Sequence, residues 1–331
     1  MSNPKISFTC TLYDRIQPLY YGDVKVEGFD LDFEGSYGWE SVRRIFDRNG
    51  AGKGADVSEM STSEYISSVA AGTCKHVAIP VFPSRAFRSG YTFVNAGRIR
   101  KPKDLEGKRI GVPLYTMTAA VFARGHLADE YGVDFDTVEW VQGAMNEAAP
   151  HGNPTVPPLL RPTRIVNNTS GRSLSQLLEA GEIDAVLGAI TPESYGRNPM
   201  VRRLFPDFQD VERQYYRRTR VFPIMHSIVI RREVHEKHPG LSPALWKAFN
   251  ASKRVAIERF MDVGSLQYML PWLARDVEEI ATEFDGDAFP YGLEASRPTL
   301  EALTRYLHQQ GLTAKKMNID DLFARVDLAA G

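Results

Sequence analysis

The sequence has little cysteine and no cysteine pattern. Cys10 and Cys74 are its two thiols among 331 residues. Two thiols so far apart in the chain provide neither a disulfide framework nor the ligand spacing of a metal site. We expect both to be small buried side chains in a protein from a reducing compartment.

Long apolar runs are also missing. No segment approaches the roughly 18 uninterrupted apolar residues that a membrane-spanning helix requires. The first residues, "MSNPKISFTCTLYDR", lack the basic region, the apolar run and the small-residue cleavage site of a secretory signal. We therefore predict a cytoplasmic protein without a membrane partner.

The chain carries almost no net charge. Its formal charge is −1 at pH 7, which gives no reason to predict a nucleic-acid partner. Hydrophobic residues make up 43% and charged residues 24%, the composition of a soluble globular protein. A chain of this length is long for one core and fits two lobes.

Strand-like segments alternate with amphipathic helical segments along the chain. "KISFTCTL" (5–12) and "HVAIPVFPS" (76–84) are β-prone, the second interrupted by Pro80 and Pro83, and "VKVEGFDLDFEG" (24–35) predicts a strand or a hairpin. Residues 148–163 are proline-rich and predict a surface loop. This alternation predicts an α/β fold with mainly parallel sheets.

One strand-to-helix unit has a candidate anion site. "RIGVPLYTMTAAVFARGHLADEYG" (109–132) opens as a buried strand and closes as a helix, with Thr116 and Thr118 where the helix begins. Free amides and a partial positive charge at a helix start favour an anion, although one threonine could simply cap the helix. No Gly-x-x-x-x-Gly-Lys loop is present, so we favour a carboxylate over a phosphate.

Several longer motifs resemble those of one enzyme family. They are "ADVSEMSTSEYI", "AIPVFPSRAFR", "GKRIGVPLYTMTAAVFARG", "MHSIVIRREV" and "PYGLEASRPTLEALTRYLHQQGL", between about residues 56 and 313. Together they resemble the 4,5-dihydroxyphthalate decarboxylase family, whose fold is that of type II periplasmic binding proteins. "GKRIGVP" alone is weak, because transporter receptors share it.

The resemblance implies a two-lobed clamshell. Residues 1–97 and 223–331 would form the first lobe and residues 98–222 the second, with crossing strands near 91–96 and 222–230 as the hinge. The ligand would lie in the cleft between the lobes, outside the carboxyl ends of the strands.

The resemblance also implies a reaction, the non-oxidative decarboxylation of a hydroxylated aromatic dicarboxylate. The expected conversion is 4,5-dihydroxyphthalate to 3,4-dihydroxybenzoate and CO2. We predict no cofactor, since the chemistry needs no redox group. A divalent metal between Glu59 and His226 stays an alternative, although no His-x-x-x-His or paired-acid spacing marks a metal site. Whether the chain forms a homo-oligomer is left open.

Arginines are the natural ligands for the substrate carboxylates, because the guanidinium fork matches a carboxylate. Arg85 and Arg88 in "PSRAFR" follow a strand that should end at the cleft. Arg15 stands where the first strand meets the first helix, and Arg172 stands near a helix start. The alternative for each is an ion pair with a structural acid or a solvated surface position.

Proton transfer is assigned to two residues. His226 in "FPIMHSIVI" lies on a hinge strand and could donate the proton that the ring carbon accepts. Glu59 lies at a strand end, flanked by Ser58 and Ser61, which we assign to substrate binding. Glu59 could accept the proton of a ring hydroxyl. The alternatives are a buried core histidine and a turn-forming acid.

Other residues are expected to pack against the ring or to lie outside the site. Candidate stacking partners are Phe82, Phe87, Tyr115 and Tyr291. The remaining histidines are placed on surfaces or helix faces, namely His76, His126, His151, His235, His238 and His308.

Two further functions are compatible with the same fold, because function depends on the site rather than on the fold. One is a small-molecule binding protein for an aromatic acid or a pyrimidine-type ligand. A secreted receptor would need a signal sequence or a lipid-anchor cysteine, and no apolar region precedes Cys10. The other is a decarboxylase for a different hydroxylated aromatic acid.

Overall fold

The computed structural model describes residues 2–152 and 157–326, without the side chains of residues 39–41. The predicted proline-rich loop therefore lies partly outside the described residues. The described strands are β1 (Lys5–Thr11), β2 (Asp30–Ser36), β3 (Val57–Ser61), β4 (His76–Arg85), β5 (Thr92–Asn95), β6 (Arg109–Val112), β7 (Glu139–Gln142), β8 (Ile165–Asn167), β9 (Ala185–Leu187), β10 (Val201–Arg203) and β11 (Ile224–Arg231).

Helices follow most of these strands. They are α1 (Gln17–Tyr21), α2 (Gly38–Gly50), α3 (Thr62–Ala70), α4 (Thr118–Tyr131), α5 (Leu174–Glu179), α6 (Phe208–Thr219), α7 (Arg232–Lys237), α8 (Leu241–Met261), α9 (Leu273–Glu283) and α10 (Leu293–Gln309), with three short 3₁₀ turns between them. α1 and α4 end at glycines with positive φ, Gly22 and Gly132, because a left-handed residue ends a helix at little cost when it lacks a Cβ.

The strands form two separate sheets. The first has the order β2-β1-β3-β11-β4 and the second the order β10-β5-β9-β6-β7-β8. Residues 5–85 and 224–231 therefore supply one sheet and residues 92–203 the other. The division into lobes at residues 97 and 223 stays a prediction.

One strand in each sheet runs against the others, so each sheet is mixed while its remaining strands are parallel, as predicted. β11 is antiparallel to β3 and β4, and β5 is antiparallel to β9 and β10. These are the strands with which the chain enters one sheet after leaving the other. The predicted crossing segments near 91–96 and 222–230 coincide with them.

Of the two alternatives for residues 24–35, the strand is confirmed, since this segment contributes β2, which pairs in parallel with β1. The predicted interruption of the strand at 76–84 was wrong. β4 continues through Pro80 and Pro83. Its pairing with β11 is irregular between Ile224 and Ile228, where the ladder accommodates the missing donors of the prolines.

The hydrophobic core runs from one sheet to the other. One cluster joins Met60 and Ala78 of the first sheet to Ile110 and Trp140 of the second, through α3, α4 and α10. A second cluster lies between the first sheet and α8, where Phe8 packs edge-to-face on Phe249. This packing brings the carboxyl ends of β1, β3, β6 and β9 to one cleft.

Candidate active site

A cavity of about 320 Å³ lies between the two sheets. The first sheet and α2 contribute one wall, and the segments after β6, β7 and β9 contribute the other. Its lining residues include Thr11, Tyr13, Val42, Arg43, Phe46, Asp47, Ser61, Glu64, Ser84, Arg88, Leu114, Thr116, Met117, Thr118, Ala119, His151, Ala189, Ile190, Met225 and His226. Small-molecule sites have such volumes and such a position in open α/β folds.

Glu59 and His226 meet at one wall of this cavity. The register of β3 and β11 pairs Glu59 with Ile228 and His226 with Ser61, so the two side chains are diagonal neighbours on one sheet face. His226 Nδ1 lies 2.5 Å from Glu59 Oε1. A contact between residues so distant in sequence depends entirely on the strand pairing.

The Glu59 carboxylate is fully buried and surrounded by donors. Besides His226, it accepts hydrogen bonds from the Thr11 amide at 2.9 Å, the Tyr13 hydroxyl at 2.7 Å and the Cys10 thiol at 3.5 Å. Burial by itself raises the pKa of Glu59, but the charge and hydrogen bond of His226 and the other donors outweigh it and lower that pKa to about 2. The carboxylate is therefore ionised at neutral pH.

An ionised carboxylate can only accept, so Nδ1–H of His226 donates to it. This bond fixes the orientation of the ring and leaves Nε2 as the nitrogen that a ligand can reach. The ring of Phe46 packs edge-on against the imidazole at 5.0 Å between centroids. The arrangement is that of an oriented acid–base group in a cavity.

Two arginines line the cavity without an ion pair. Arg88 donates through Nε to the Met225 sulfur at 3.3 Å, and burial lowers its pKa to about 10, so it stays charged. Arg43 projects from α2 and was not singled out from the sequence. Among the described residues neither guanidinium has a carboxylate within ion-pairing distance, which leaves both free to bind an anion.

The two threonines of the predicted anion site line the cavity, but the Thr118 hydroxyl is already engaged. It lies 3.0 Å from Ser61 Oγ, donates to Ser63 Oγ at 2.9 Å and accepts from the Ser63 amide at 3.1 Å. Ser63 in turn donates to the carbonyl of Thr116. These bonds join the starts of α3 and α4 across the cleft, and Ser61 is part of that link.

Two predicted arginine ligands do not reach this cavity. Arg85 is buried and donates to the carbonyls of Phe222 and Pro290 and to Ser296 Oγ. It follows Ser84, which lines the cavity, and alternate residues of a strand face opposite sides. Arg15 donates to the carbonyl of Pro83 and pairs with an aspartate, beside a separate cavity of about 90 Å³.

Ser58 and Arg172 also lie elsewhere. Ser58 is fully buried, where its hydroxyl exchanges hydrogen bonds with the Asn49 amide at 2.9 and 3.1 Å, on the strand face opposite to Glu59. Arg172 is exposed and pairs with Glu182 at 2.5 Å. The structure thus brings together Glu59, His226 and the cavity-lining candidates Ser61, Arg88, Thr116 and Thr118.

The aromatic and histidine predictions need correction. None of the four candidate stacking residues lines the cavity. Among the described side chains, the phenyl and phenol rings that line it are Tyr13, which follows β1, and Phe46, which lies on α2. His76 and His126 are buried rather than on surfaces. His151 lines the cavity, and burial, with the charge of Arg43, lowers its pKa to about 4.

The described residues contain no group of three His, Cys, Asp or Glu side chains placed to hold a metal ion. Glu59 and His226 satisfy each other instead. In the same part of the chain, no helix is both long and apolar enough to cross a membrane.

A curated relative covers nearly the whole chain. The 4,5-dihydroxyphthalate decarboxylase of Comamonas testosteroni is 36% identical over 325 residues, 98% of this chain and 97% of that protein. The chain belongs to this decarboxylase family. A relative of the same name from Pseudomonas putida is 35% identical over 66% of the chain and 83% of its own length. The resemblance stated from the motifs is confirmed.

The family model described as NMT1/THI5 like matches residues 85–156. Among solved structures, the periplasmic aliphatic sulphonate binding protein of Escherichia coli has a TM-score of 0.53 at 13% identity, over 97% of this chain and 98% of that one. A periplasmic sulfonate-binding protein from Methylobacillus flagellatus has a TM-score of 0.51 at 14% identity, over 97% and 92%. At this identity the likeness concerns the fold alone, and it confirms the predicted two-lobed α/β fold.

Proposed function

We propose that this member of the decarboxylase family converts 4,5-dihydroxyphthalate to 3,4-dihydroxybenzoate and CO2. The observation that carries the proposal is a histidine held by a buried, ionised glutamate in a cavity that also contains two arginines with no carboxylate partner among the described residues. A binding protein needs the arginines but has no need of an oriented proton donor. Whole-length similarity to enzymes of that name supports the same conclusion.

Loss of CO2 from such a ring requires one proton at the carbon that carries the leaving carboxylate. In our proposal, His226 delivers this proton from Nε2. Before the transfer, Glu59 stabilises the positive charge of the protonated imidazole ring. The ring–carboxylate bond then breaks, its electron pair returns to the ring and neutral CO2 leaves. One proton is consumed per turnover, and His226 recovers it from water.

The substrate itself supplies the electrons that make the ring carbon basic. In 4,5-dihydroxyphthalate, each carboxylate is para to one hydroxyl, so either carboxylate can leave by the same route. Arg88 binds a carboxylate in this scheme, since its charge is desolvated and has no acid partner among the described residues. Glu59 is already ionised and fully hydrogen-bonded, so its role is to orient His226 rather than to deprotonate a ring hydroxyl.

We also propose that the reaction needs no cofactor. In this proposal the protein acts in the cytoplasm, in the degradation of phthalate, either as a monomer or as a homo-oligomer.

The test is to mix the purified protein with 4,5-dihydroxyphthalate, with and without EDTA, and to follow CO2 and the aromatic product. His226→Asn should reduce turnover at least 100-fold, and Arg88→Gln should raise KM. His235→Asn is the matched control, because His235 bonds Ser242 outside the cavity and its loss should leave turnover unchanged.

Other results would change the assignment. Tight binding without turnover by the wild-type protein would indicate a binding protein. No binding and no turnover would indicate a different aromatic acid. Loss of turnover with EDTA would support the alternative of a required divalent metal.

A further inference from the structure

Arg43 lines the same cavity as Arg88 but comes from a different element of the fold. It lies on α2, and Phe46, three residues later, packs against the His226 ring. Residues three apart share one helix face, so the Arg43 side chain starts about one helical turn from the imidazole. Arg88 donates to the sulfur of Met225, the residue before His226 on β11.

The second lobe covers the Arg43 side chain. A Cβ placed on Gly152 would lie 3.6 Å from Arg43 Cδ, so the aliphatic stem packs against this segment. Burial, with the charge of Arg43, lowers the pKa of His151 to about 4, and both side chains line the cavity. His151 is consequently neutral at pH 7 and does not compete with Arg43 for an anion.

The described acidic residues of the cavity form no ion pair with this guanidinium. Asp47 follows one turn later on α2 and is exposed, and Glu64 lies at the start of α3. Neither forms an ion pair with Arg43 in the described part of the chain. A half-buried arginine without an internal partner is most stable when a ligand supplies the carboxylate.

We propose that Arg43 binds the second carboxylate of the substrate and thereby makes the site selective for ortho-dicarboxylates over monocarboxylates. This inference rests on the proposed function for the identity of the ligand, but it concerns affinity and not turnover. Arg43 and Arg88 would each hold one carboxylate, with His226 between them.

The test compares two unreactive ligands, phthalate and benzoate, by titration calorimetry. We expect the wild-type protein to bind phthalate more tightly, and Arg43→Gln to weaken phthalate binding by roughly 10- to 100-fold, the cost of one charge-assisted bidentate pair, with little effect on benzoate. Arg43→Lys should keep part of the preference. Arg48→Gln is the matched control, since Arg48 lies on the same helix and pairs with Glu34 at the surface.

The inference fails if Arg43→Gln leaves the phthalate-to-benzoate ratio unchanged, or if the wild-type protein shows no preference. A protein that binds phthalate selectively through Arg43 but releases no CO2 from 4,5-dihydroxyphthalate would contradict only the proposed function. An active enzyme whose ligand preference ignores Arg43 would contradict only this inference.

Discussion

Replacing Glu59 by glutamine is the sharpest test of the proposed acid. The Thr11 amide can only donate, so the new amide oxygen must face it and the NH2 group must face His226 and Tyr13. Nδ1 of His226 would then accept a hydrogen bond instead of donating one. The ring would be held neutral, with its proton on Nε2. A neutral imidazole is a poor acid toward a ring carbon.

The magnitude follows from the electrostatics of the pair. The surroundings lower the pKa of Glu59 from 4.5 to about 2 in spite of complete burial. Each tenfold change in proton affinity is worth about 1.4 kcal/mol, so the surroundings favour the ionised carboxylate by about 3 kcal/mol, net of the opposing effect of burial. Losing that stabilisation of the charged pair should lower kcat by a factor of roughly 100 to 1,000.

The assay is the steady-state release of CO2 from 4,5-dihydroxyphthalate at pH 7, with circular dichroism to verify the fold. Asp56→Asn is the matched control, because Asp56 also bonds a backbone amide, that of Ser7, and pairs with Arg231, but it does not line the cavity. This control should lose stability and keep kcat. A folded Glu59→Gln protein with kcat within threefold of wild type would refute the reasoning.

The pH dependence of stability follows from the same carboxylate. Because the folded-state pKa of Glu59 lies below its usual 4.5, the pair contributes its full stability above about pH 4.5. That contribution is lost as the pH falls toward 2. Glu59→Gln should therefore show a weaker loss of stability than wild type in urea titrations between pH 4.5 and pH 2. An unchanged acid profile would contradict the assignment.

Three further outcomes are expected. Tyr13→Phe removes one donor to Glu59 and should lower kcat less than tenfold in the CO2 assay; a loss as large as that of Glu59→Gln would mean that Tyr13 itself touches the substrate. Gly125→Ala should lower Tm by several degrees, since a Cβ there would lie 2.5 Å from the Tyr306 ring, and an unchanged Tm would show that the ring can yield. Arg172→Ala should leave kcat/KM within twofold and Tm nearly unchanged, because an exposed ion pair contributes little to stability; a raised KM would show that Arg172 contacts the substrate.

Much of the local architecture follows from the sequence. Segment 109–132 begins as a strand and ends as a helix as predicted, and the strand–helix alternation matches the α/β fold. The family motifs allowed the fold and the reaction class to be predicted. These features depend on neighbouring residues or on long similar stretches, so they can be recognised without the three-dimensional structure.

The membership of the site could be predicted only in part. Glu59 and Ser61 share one face of β3, whereas Ser58 faces away, and Arg85 faces away from the cavity that Ser84 lines. The alternation of side chains along a strand predicts that neighbouring residues lie on opposite faces. Only the tertiary structure decides which of the two faces lines the cavity. Arg43 lies on α2, and the role proposed for it depends on its packing against the segment at Gly152.

What the sequence by itself determined is therefore the set of helices and strands and the chemical types available to the site. The tertiary structure decided which of them act together. Glu59 and His226 are separated by 167 positions, about half of the chain, and meet because β11 returns antiparallel between β3 and β4. Arg15, Arg85 and the Thr118 hydroxyl found partners within the protein, because buried donors must be satisfied wherever the fold places them. No local sequence pattern shows which of these side chains bond within the protein and which remain available to a ligand.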